Sequence, residues 1–131
     1  MQVEILALCD AATDYQGRLC VLGAFDTIFA KAFPATHPQC AIALRLRFTQ
    51  IEVGDHSVRL HVVNDDGQLV LPPLEGQMPV ALNSGFDSAS ANLILGIQGL
   101  QLKAPGDYAV NLALDGKQEA SIPLYVRKHN G

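Results

Sequence analysis

Tryptophan is absent from this sequence of 131 residues, and aromatic residues make up only 6% of it. Charged residues are also scarce, at 17% against about 25% in an average globular domain. The formal net charge of −4 argues against the basic surface that a general affinity for nucleic acid or anionic membranes requires. No apolar run reaches the ~20 residues that span a bilayer. We therefore expect neither nucleic acid nor a membrane as a partner.

The usual chemical signatures are also missing. The sequence has no glycine-rich phosphate loop, no G-x-S-x-G, no H-E-x-x-H and no C-x-x-C. His37 and Cys40 have a spacing suited to a metal, but a closed zinc site needs four ligands and no second pair follows. We expect no metal, no cofactor and no catalytic residue. The sequence favours a non-catalytic protein and leaves catalysis open.

The three cysteines are an odd number, which suits reduced thiols better than a disulfide framework. Cys9, Cys20 and Cys40 each lie in an apolar, strand-like pattern, where a free cysteine serves as a small hydrophobic residue. The first ten residues, MQVEILALCD, have neither the basic segment nor the cleavage site of a signal peptide. We therefore expect a cytoplasmic protein with reduced thiols.

Alternation of apolar and polar residues predicts most of the secondary structure. Residues 40–48 and 57–63 both show the period of two that is typical of half-buried strands. Residues 107–114 and 118–126 flank Asp115-Gly116, a preferred two-residue turn, and so predict a β-hairpin. The further candidate strands are residues 3–9, 18–24, 68–72, 77–82 and 92–98.

Eight or nine short strands with recurring turn residues predict an all-β protein. We expect one domain, residues 1–131, folded as an antiparallel β-sandwich that is immunoglobulin-like in general architecture. The stretch PGDY, residues 105–108, resembles the late strands of immunoglobulin-like sandwiches.

Residues 25–33 are ambiguous. Phe25, Phe29 and Phe33 recur every fourth residue, and that spacing suits both a helix and a strand. A helix here would be short and would end at Pro34, so we favour an extended segment that continues the strand before it and bends at Gly23. On either alternative we expect the three phenylalanines in the core.

Two groups of residues are candidates for binding. If strands 40–48 and 57–63 form an antiparallel hairpin, then Arg45, Arg47, Arg59 and His61 project together from its outer face. Either Glu52, Glu75 or Asp65 neutralises them, or they bind an anion or an acidic partner surface. Phe86, in the polar loop 83–92, either packs over the end of the sandwich or is an exposed contact for a partner. We favour the packed position.

The chain resembles a family of short, uncharacterised bacterial proteins. The resemblance lies in five stretches that cover nearly its whole length: LCD (8–10), LGAFDTIF (22–29), FPATHP (33–38), LPPLEG (71–76) and APGDYAVNLALDG (104–116). The resemblance implies a bacterial origin and a β-sandwich, but no established activity.

Residues 76–102 contain one charged residue, Asp87, and place apolar or small residues on both faces of two predicted strands. Pro79 cannot donate a ladder hydrogen bond, so strand 77–82 is predicted to lie at an edge or to be bulged. We expect a homodimer through residues 76–102. The function that we expect is a self-associating binding or assembly module, with a small-anion binder as the alternative.

Overall fold

A computed structural model describes residues 1–129 of the chain. Nine strands and one short 3-10 turn (Gln50–Glu52) make up its regular structure. The strands are β1 (Gln2–Tyr15), β2 (Arg18–Phe25), β3 (Thr27–Ala30), β4 (Ala35–Thr49), β5 (Gly54–Val63), β6 (Leu74–Val80), β7 (Ser88–Leu102), β8 (Gly106–Leu114) and β9 (Lys117–Lys128). The predictions of an all-β protein and of eight or nine strands are confirmed.

The strands form two sheets. A four-stranded sheet, which we call sheet A, has the order β2-β1-β4-β7, and a five-stranded sheet, sheet B, has the order β3-β9-β8-β5-β6. All neighbouring strands are antiparallel except β3 and β9, which run parallel. Sheet A therefore ends in β2 and β7, and sheet B ends in β3 and β6.

One hydrophobic core contains side chains from both sheets. Alternate residues of β4 face it, and so do alternate residues of β5 and β8, because a strand with one covered face buries every second side chain. The largest fully buried residues include Phe48 of β4, Leu60 of β5 and Leu112 of β8. The alternation read from the sequence therefore identifies the inward faces correctly.

The predicted hairpin near the C-terminal end is confirmed. β8 and β9 pair through Leu114 and Lys117, and the turn between them consists of Asp115 and Gly116. Both turn residues have positive φ, +51° and +84°. This is the conformation that favours Asp-Gly in a two-residue β-turn.

Residues 25–33 are extended rather than helical, as we favoured. β2 ends at Phe25 and β3 begins at Thr27, so the chain passes from sheet A to sheet B within this segment. Phe25 and Phe33 are half-buried against the core. The prediction is wrong for Phe29, whose side chain is 62% exposed. A spacing of four in a chain that changes sheets does not keep three side chains on one buried face.

One predicted pairing of strands and one predicted strand are wrong. β4 and β5 do not form a hairpin, because the 3-10 turn and Gly54 carry the chain across to the other sheet. Residues 68–72 make only an isolated bridge, between Leu69 and Val63. Pro72 and Pro73 follow at once, and neither can donate a ladder hydrogen bond. The strand predicted at 77–82 is β6, which lies at an edge as Pro79 suggested.

Candidate functional site

The four basic residues that the sequence singled out are divided between the two sheets. Arg45 and Arg47 lie on β4 in sheet A, whereas Arg59 and His61 lie on β5 in sheet B. The single basic face that we predicted is therefore wrong, because the pairing of β4 with β5 on which it depended does not occur. The binding role of each pair stays a prediction, and each pair has its own surroundings.

Glu4 forms an ion pair with each of the two arginines of sheet A. It lies at a bulge of β1, where the register against β4 shifts between Val3 and Ile5. Arg45 Nε donates to Glu4 Oε1 at 3.0 Å, and Arg47 Nε donates to Glu4 Oε2 at 2.8 Å. The hydrogen bond from Arg47, together with the nearby positive charge, lowers the pKa of Glu4. Glu52, Glu75 and Asp65 were the expected counter-charges, and Glu4 was missed.

The tip of the β1–β2 hairpin is hydrogen-bonded to the same network. Arg45 Nη1 donates to the carbonyl oxygen of Gly17 at 3.2 Å and to Asn92 Oδ1 at 2.9 Å. Asn92 Nδ2 donates to Asp14 Oδ2 at 2.9 Å and to the carbonyl oxygen of Gly17 at 3.2 Å. The hydrogen bond from Asn92 lowers the pKa of Asp14. Arg45 therefore connects the hairpin tip to β4 and β7 through these hydrogen bonds.

A small second cluster of apolar residues lies between the far part of this hairpin and the strands β4 and β7. Its buried members are Cys9, Ala41 and Ala43, and the half-buried Ala12, Leu19 and Ile94 pack against them. The far part of the hairpin therefore covers the outward side of β4 and β7 at this point. This explains why β7 carries an apolar residue at position 94, where an open face would carry a polar one.

Two of the three cysteines are buried, as predicted. Cys9 belongs to the small cluster and Cys40 to the main core. Burial raises the pKa of the Cys9 thiol, and it raises the pKa of Cys40 to about 11. Both thiols therefore stay protonated near neutral pH. Cys20 is exposed on β2, so its predicted place in the core is wrong.

The basic residues of sheet B line a groove on the outer face of that sheet. Arg59 Nη2 contacts Glu75 Oε1 on the neighbouring strand β6. Glu75 was one of the expected counter-charges, and that prediction is confirmed. The groove is lined by Ser57, Val58, Arg59, His61, Glu75, Gly76, Gln77, Ala113 and Gly116. Both partners of the ion pair are more than half exposed, so their attraction is weak.

A third polar group ties the β8–β9 turn to β5. His56 Nδ1 lies 2.6 Å from Asp115 Oδ2, and His56 Nε2 lies 2.5 Å from the carbonyl oxygen of Glu52. The imidazole stacks on Phe48, with ring centroids 4.6 Å apart. The hydrogen bonds with Asp115 and then with Glu52 raise the pKa of His56, and the histidine lowers the pKa of Asp115. No local pattern in the sequence pointed to this pair.

Many apolar side chains of residues 76–102, the predicted dimer surface, face the interior of the protein. β6 and β7 are neighbouring edge strands of the two sheets, and the side chain of Leu93 lies over Gly76, where an added Cβ would be 2.8 Å from Leu93 Cδ2. Val80 is buried. Phe86 lies in the connecting loop and is 68% exposed, so the packed position that we favoured is wrong. Its contact with a partner stays a prediction.

The opposite side of the fold exposes apolar side chains on unpaired edges. Within residues 1–129, no strand pairs with the outer edge of β2 or of β3. Leu22 is 68% exposed and Phe29 62% exposed, and Val21 and Cys20 are exposed beside them. A shallow apolar depression on the hairpin is lined by Ala11, Ala12, Thr13, Cys20, Val21 and Leu22. In the sequence, the signal for this surface was the lack of lysine and of acidic residues in β2.

Among residues 1–129, no group of three or more His, Cys, Asp and Glu side chains is arranged to hold a metal ion. In the same range, no helix has the length and the apolar character needed to cross a membrane.

Comparison with known proteins gives a family but no function. A family model described as a family of unknown function, DUF6941, matches residues 4–127. Neither the curated proteins nor the solved structures contain a match to the chain. The family match covers all nine strands apart from the first residues of β1 and the last residue of β9. The chain therefore belongs to DUF6941, a family of unknown function.

Proposed function

We propose that this protein is a non-catalytic, self-associating binding or assembly module that acts through the side formed by β2 and β3. The observation that carries this proposal is the exposure of Leu22 and Phe29 on two consecutive edge strands, β2 and β3, whose outer edges have no partner strand within the described chain. We call this surface, residues 18–30, the open edge.

An edge strand presents unpaired N–H and C=O groups, and proteins usually protect such strands with lysine, proline, inward charges or a covering loop. β2 contains one charged residue, Arg18, at its first position, and neither β2 nor β3 contains lysine or proline. A bend at Gly23, where φ is +66°, is the main interruption. Apolar side chains next to unpaired backbone groups favour association with another strand.

The apolar character of residues 76–102 gives less support to a contact there. Leu93 and Val80 are involved in packing within the chain, and Phe86 is the one large apolar side chain in this fully described range that is exposed. We keep a contact through Phe86 as the competing surface for self-association.

We also infer that the two sheets form a sandwich of the immunoglobulin-like type. Tyr108, near the start of β8, donates from its hydroxyl group to the carbonyl oxygen of Ala104 at 2.7 Å. This resembles the tyrosine corner of immunoglobulin-like domains, in which a tyrosine hydroxyl bonds to the backbone a few residues upstream. The order β9-β8-β5 in one sheet and the pairing of β4 with β7 in the other also suit that architecture. Such folds commonly serve as binding modules, although a fold alone does not define a function.

We place this module in a bacterial cytoplasm. The three free cysteines support a reducing compartment, and the resemblance of the sequence to short bacterial proteins supports the origin.

Light scattering coupled to gel filtration tests self-association. We expect a mass that rises from the 14.0 kDa of one chain towards twice that value as the concentration increases from micromolar to millimolar. Phe29→Lys should lower the mass at a given concentration and Phe86→Lys should not. A single-chain mass at every concentration would overturn the proposal, and the opposite response of the two variants would move the contact to residues 76–102.

The groove on sheet B favours a second candidate function, the binding of a small anion. Arg59 and His61 both line this groove, and its lining includes the small residues Ala113 and Gly116. An anion that binds Arg59 would have to displace Glu75, so Glu75→Gln should strengthen binding. A screen of phosphate, sulfate and small carboxylates by thermal unfolding tests this. The absence of a stabilising anion for both the wild type and Glu75→Gln would exclude it.

A further inference from the structure

Resting on the proposed self-association, we propose that two copies of the chain pair antiparallel along residues 18–22 of β2, with Cys20 opposite Cys20 of the second copy. The pairing joins two four-stranded copies of sheet A into one eight-stranded sheet. The partner at the open edge is thus a second copy of the same strand.

The regular part of β2 limits where a second strand can pair. Residues 18–22 pair without interruption with residues 11–15 of β1, and their outer edge has no partner within the described chain. The next residue, Gly23, has φ +66° and lies against the side chain of Asp10. A residue with this backbone conformation interrupts a flat edge. The middle of the usable segment is therefore Cys20.

The charges near β2 determine the direction of pairing. Arg18 lies at the start of the strand and forms no ion pair within residues 1–129. Asp10 and Asp26 lie near the other end, Asp10 beside Gly23 and Asp26 directly after the strand. A parallel arrangement would place the two Arg18 residues side by side, which is unfavourable. An antiparallel arrangement moves each Arg18 towards the acidic end of the partner strand.

The exposed side chains of β2 suit this pairing. Arg18, Cys20 and Leu22 share one face of the strand, since side chains alternate. With Cys20 at the centre, the Leu22 side chain lies opposite the aliphatic stem of Arg18 in the second copy. Leu22 also borders the apolar depression of its own hairpin, so the pairing covers this depression at its β2 rim. The most exposed apolar residue of β2 is then removed from water on both copies.

The contact formed by this pairing is small. Five paired residues on each side are few compared with the about 20–30 residues a side of a standard stable interface. We therefore expect a dimer that dissociates on dilution, with additional contact from Phe29 where the two open edges meet.

Oxidative crosslinking of the natural Cys20 tests the geometry directly. Directly opposed residues of an antiparallel pair have Cα atoms about 4.5–5.5 Å apart, within the range that a disulfide spans. Copper phenanthroline in air, which removes the two thiol protons and two electrons, should convert the wild type to a covalent dimer at concentrations where light scattering shows association. Cys9 and Cys40 are buried and should not react.

Two variants serve as controls. Cys20→Ser should abolish the covalent dimer while leaving the non-covalent mass unchanged. Cys20→Ser combined with Phe86→Cys places an exposed thiol in the competing region and should not crosslink. Circular dichroism of each variant verifies that the fold is intact, which we expect because both positions are exposed.

The outcomes separate this inference from the proposed function. If the protein associates but Cys20 does not crosslink and Leu22→Lys leaves the mass unchanged, the β2 pairing is wrong and self-association stands. If the double variant crosslinks through the thiol introduced at position 86, and the wild type does not crosslink through Cys20, the contact lies in residues 76–102. A single-chain mass at all concentrations overturns both proposals. Crosslinking of the wild type together with loss of the dimer in Leu22→Lys supports both.

Discussion

At one side of the fold, side chains of the edge strands β6 and β7 pack against each other. At the other side, the edge strands β2 and β3 expose apolar side chains to solvent. On the packed side, Leu93 lies over Gly76, and the outward residues of β6 are Glu75, Gln77 and Pro79. On the open edge, Leu22 and Phe29 are exposed. A charge and a proline are common protection for an edge strand, and neither β2 nor β3 contains a comparable residue beyond Arg18. The difference teaches that low charge alone does not indicate exposed apolar side chains, because much of the apolar character of residues 76–102 is packed within the chain.

The largest expected effect on stability comes from a substitution that disrupts the packing of β6 against β7. Gly76→Val should destabilise the protein by about 1–3 kcal/mol, because the new side chain overlaps Leu93. Leu93→Ala in the same chain should recover part of this loss by making room. Urea unfolding of the two single variants and the double variant measures the coupling. Strictly additive effects would contradict the contact between β6 and β7.

Arg45→Met tests whether the hairpin behind the open edge depends on its hydrogen bonds. It removes the hydrogen bonds that Arg45 donates to Glu4, Gly17 and Asn92. Because the Arg45 side chain is only 24% exposed, we expect a loss of about 1–2 kcal/mol. Arg59→Met removes an exposed ion pair on the packed side and should cost below about 0.5 kcal/mol. Equal losses in urea unfolding would show that the network around Arg45 does not hold the hairpin.

On the packed side, the pH dependence of stability tests the interaction between His56 of β5 and Asp115 in the β8–β9 turn. Because the pKa of His56 is raised in the folded state, its contribution is fully present below about pH 6.5 and is lost as the pH rises through the folded pKa. The pKa of Asp115 is lowered, so its contribution is present above about pH 3.9 and is lost as the pH falls through its folded pKa. Stabilisation by the pair is therefore greatest between these limits.

Urea unfolding at about pH 5.5 and pH 8.5 measures the contribution of His56. The free energy lost by His56→Gln should be larger at the lower pH. A loss for His56→Gln that does not depend on pH would show that the histidine is not protonated in the folded protein.

The smallest expected effect is at Phe29. Phe29→Ser should change the free energy of unfolding by no more than about 0.5 kcal/mol, because the side chain is mainly in water. Phe33→Ser should cost more, because Phe33 packs against the core. If dilute protein loses as much stability with Phe29→Ser as with Phe33→Ser, the open edge is part of the core and is not available to a partner.

The sequence was sufficient to predict most of the strands and the β8–β9 hairpin, but not the pairing of β4 with β7 or of β5 with β6 and β8. Alternation in residues 40–48 and 57–63 identified which side chains are buried, because that depends only on one covered face. The same alternation fits a hairpin and two facing sheets equally well, so the pairing of β4 with β5 was predicted wrongly. Strand order depends on contacts between distant segments, such as β4 with β7, which local patterns do not record.

The candidate site was less predictable than the fold, for a related reason. Arg45 and Arg47 were identified as needing a counter-charge, but Glu4 is far away in sequence and lies at a bulge that alternation does not show. Phe29 was placed in the core because the change of sheet at Asp26 is not visible in a spacing of four. The lack of protective charge in β2 was visible, and a systematic check of each predicted strand for edge protection would have found the open edge.

The parallel pairing of β3 with β9 has a consequence for the order of folding. It joins Ile28 to Val126, so nearly the whole chain must be in place before it forms. Closing so long a loop is slow relative to forming the β8–β9 hairpin, whose strands are adjacent in sequence. We therefore expect β3 to dock last, and until then residues 125–128 of β9 have no partner strand on that side. Pulsed hydrogen exchange during refolding should show protection of residues 28–30 later than of residues 108–114, and simultaneous protection would contradict this order. A newly made chain would thus pass through a state in which β2 and β9 each have an edge without a partner strand. In that state, contact between two copies competes with the docking of β3.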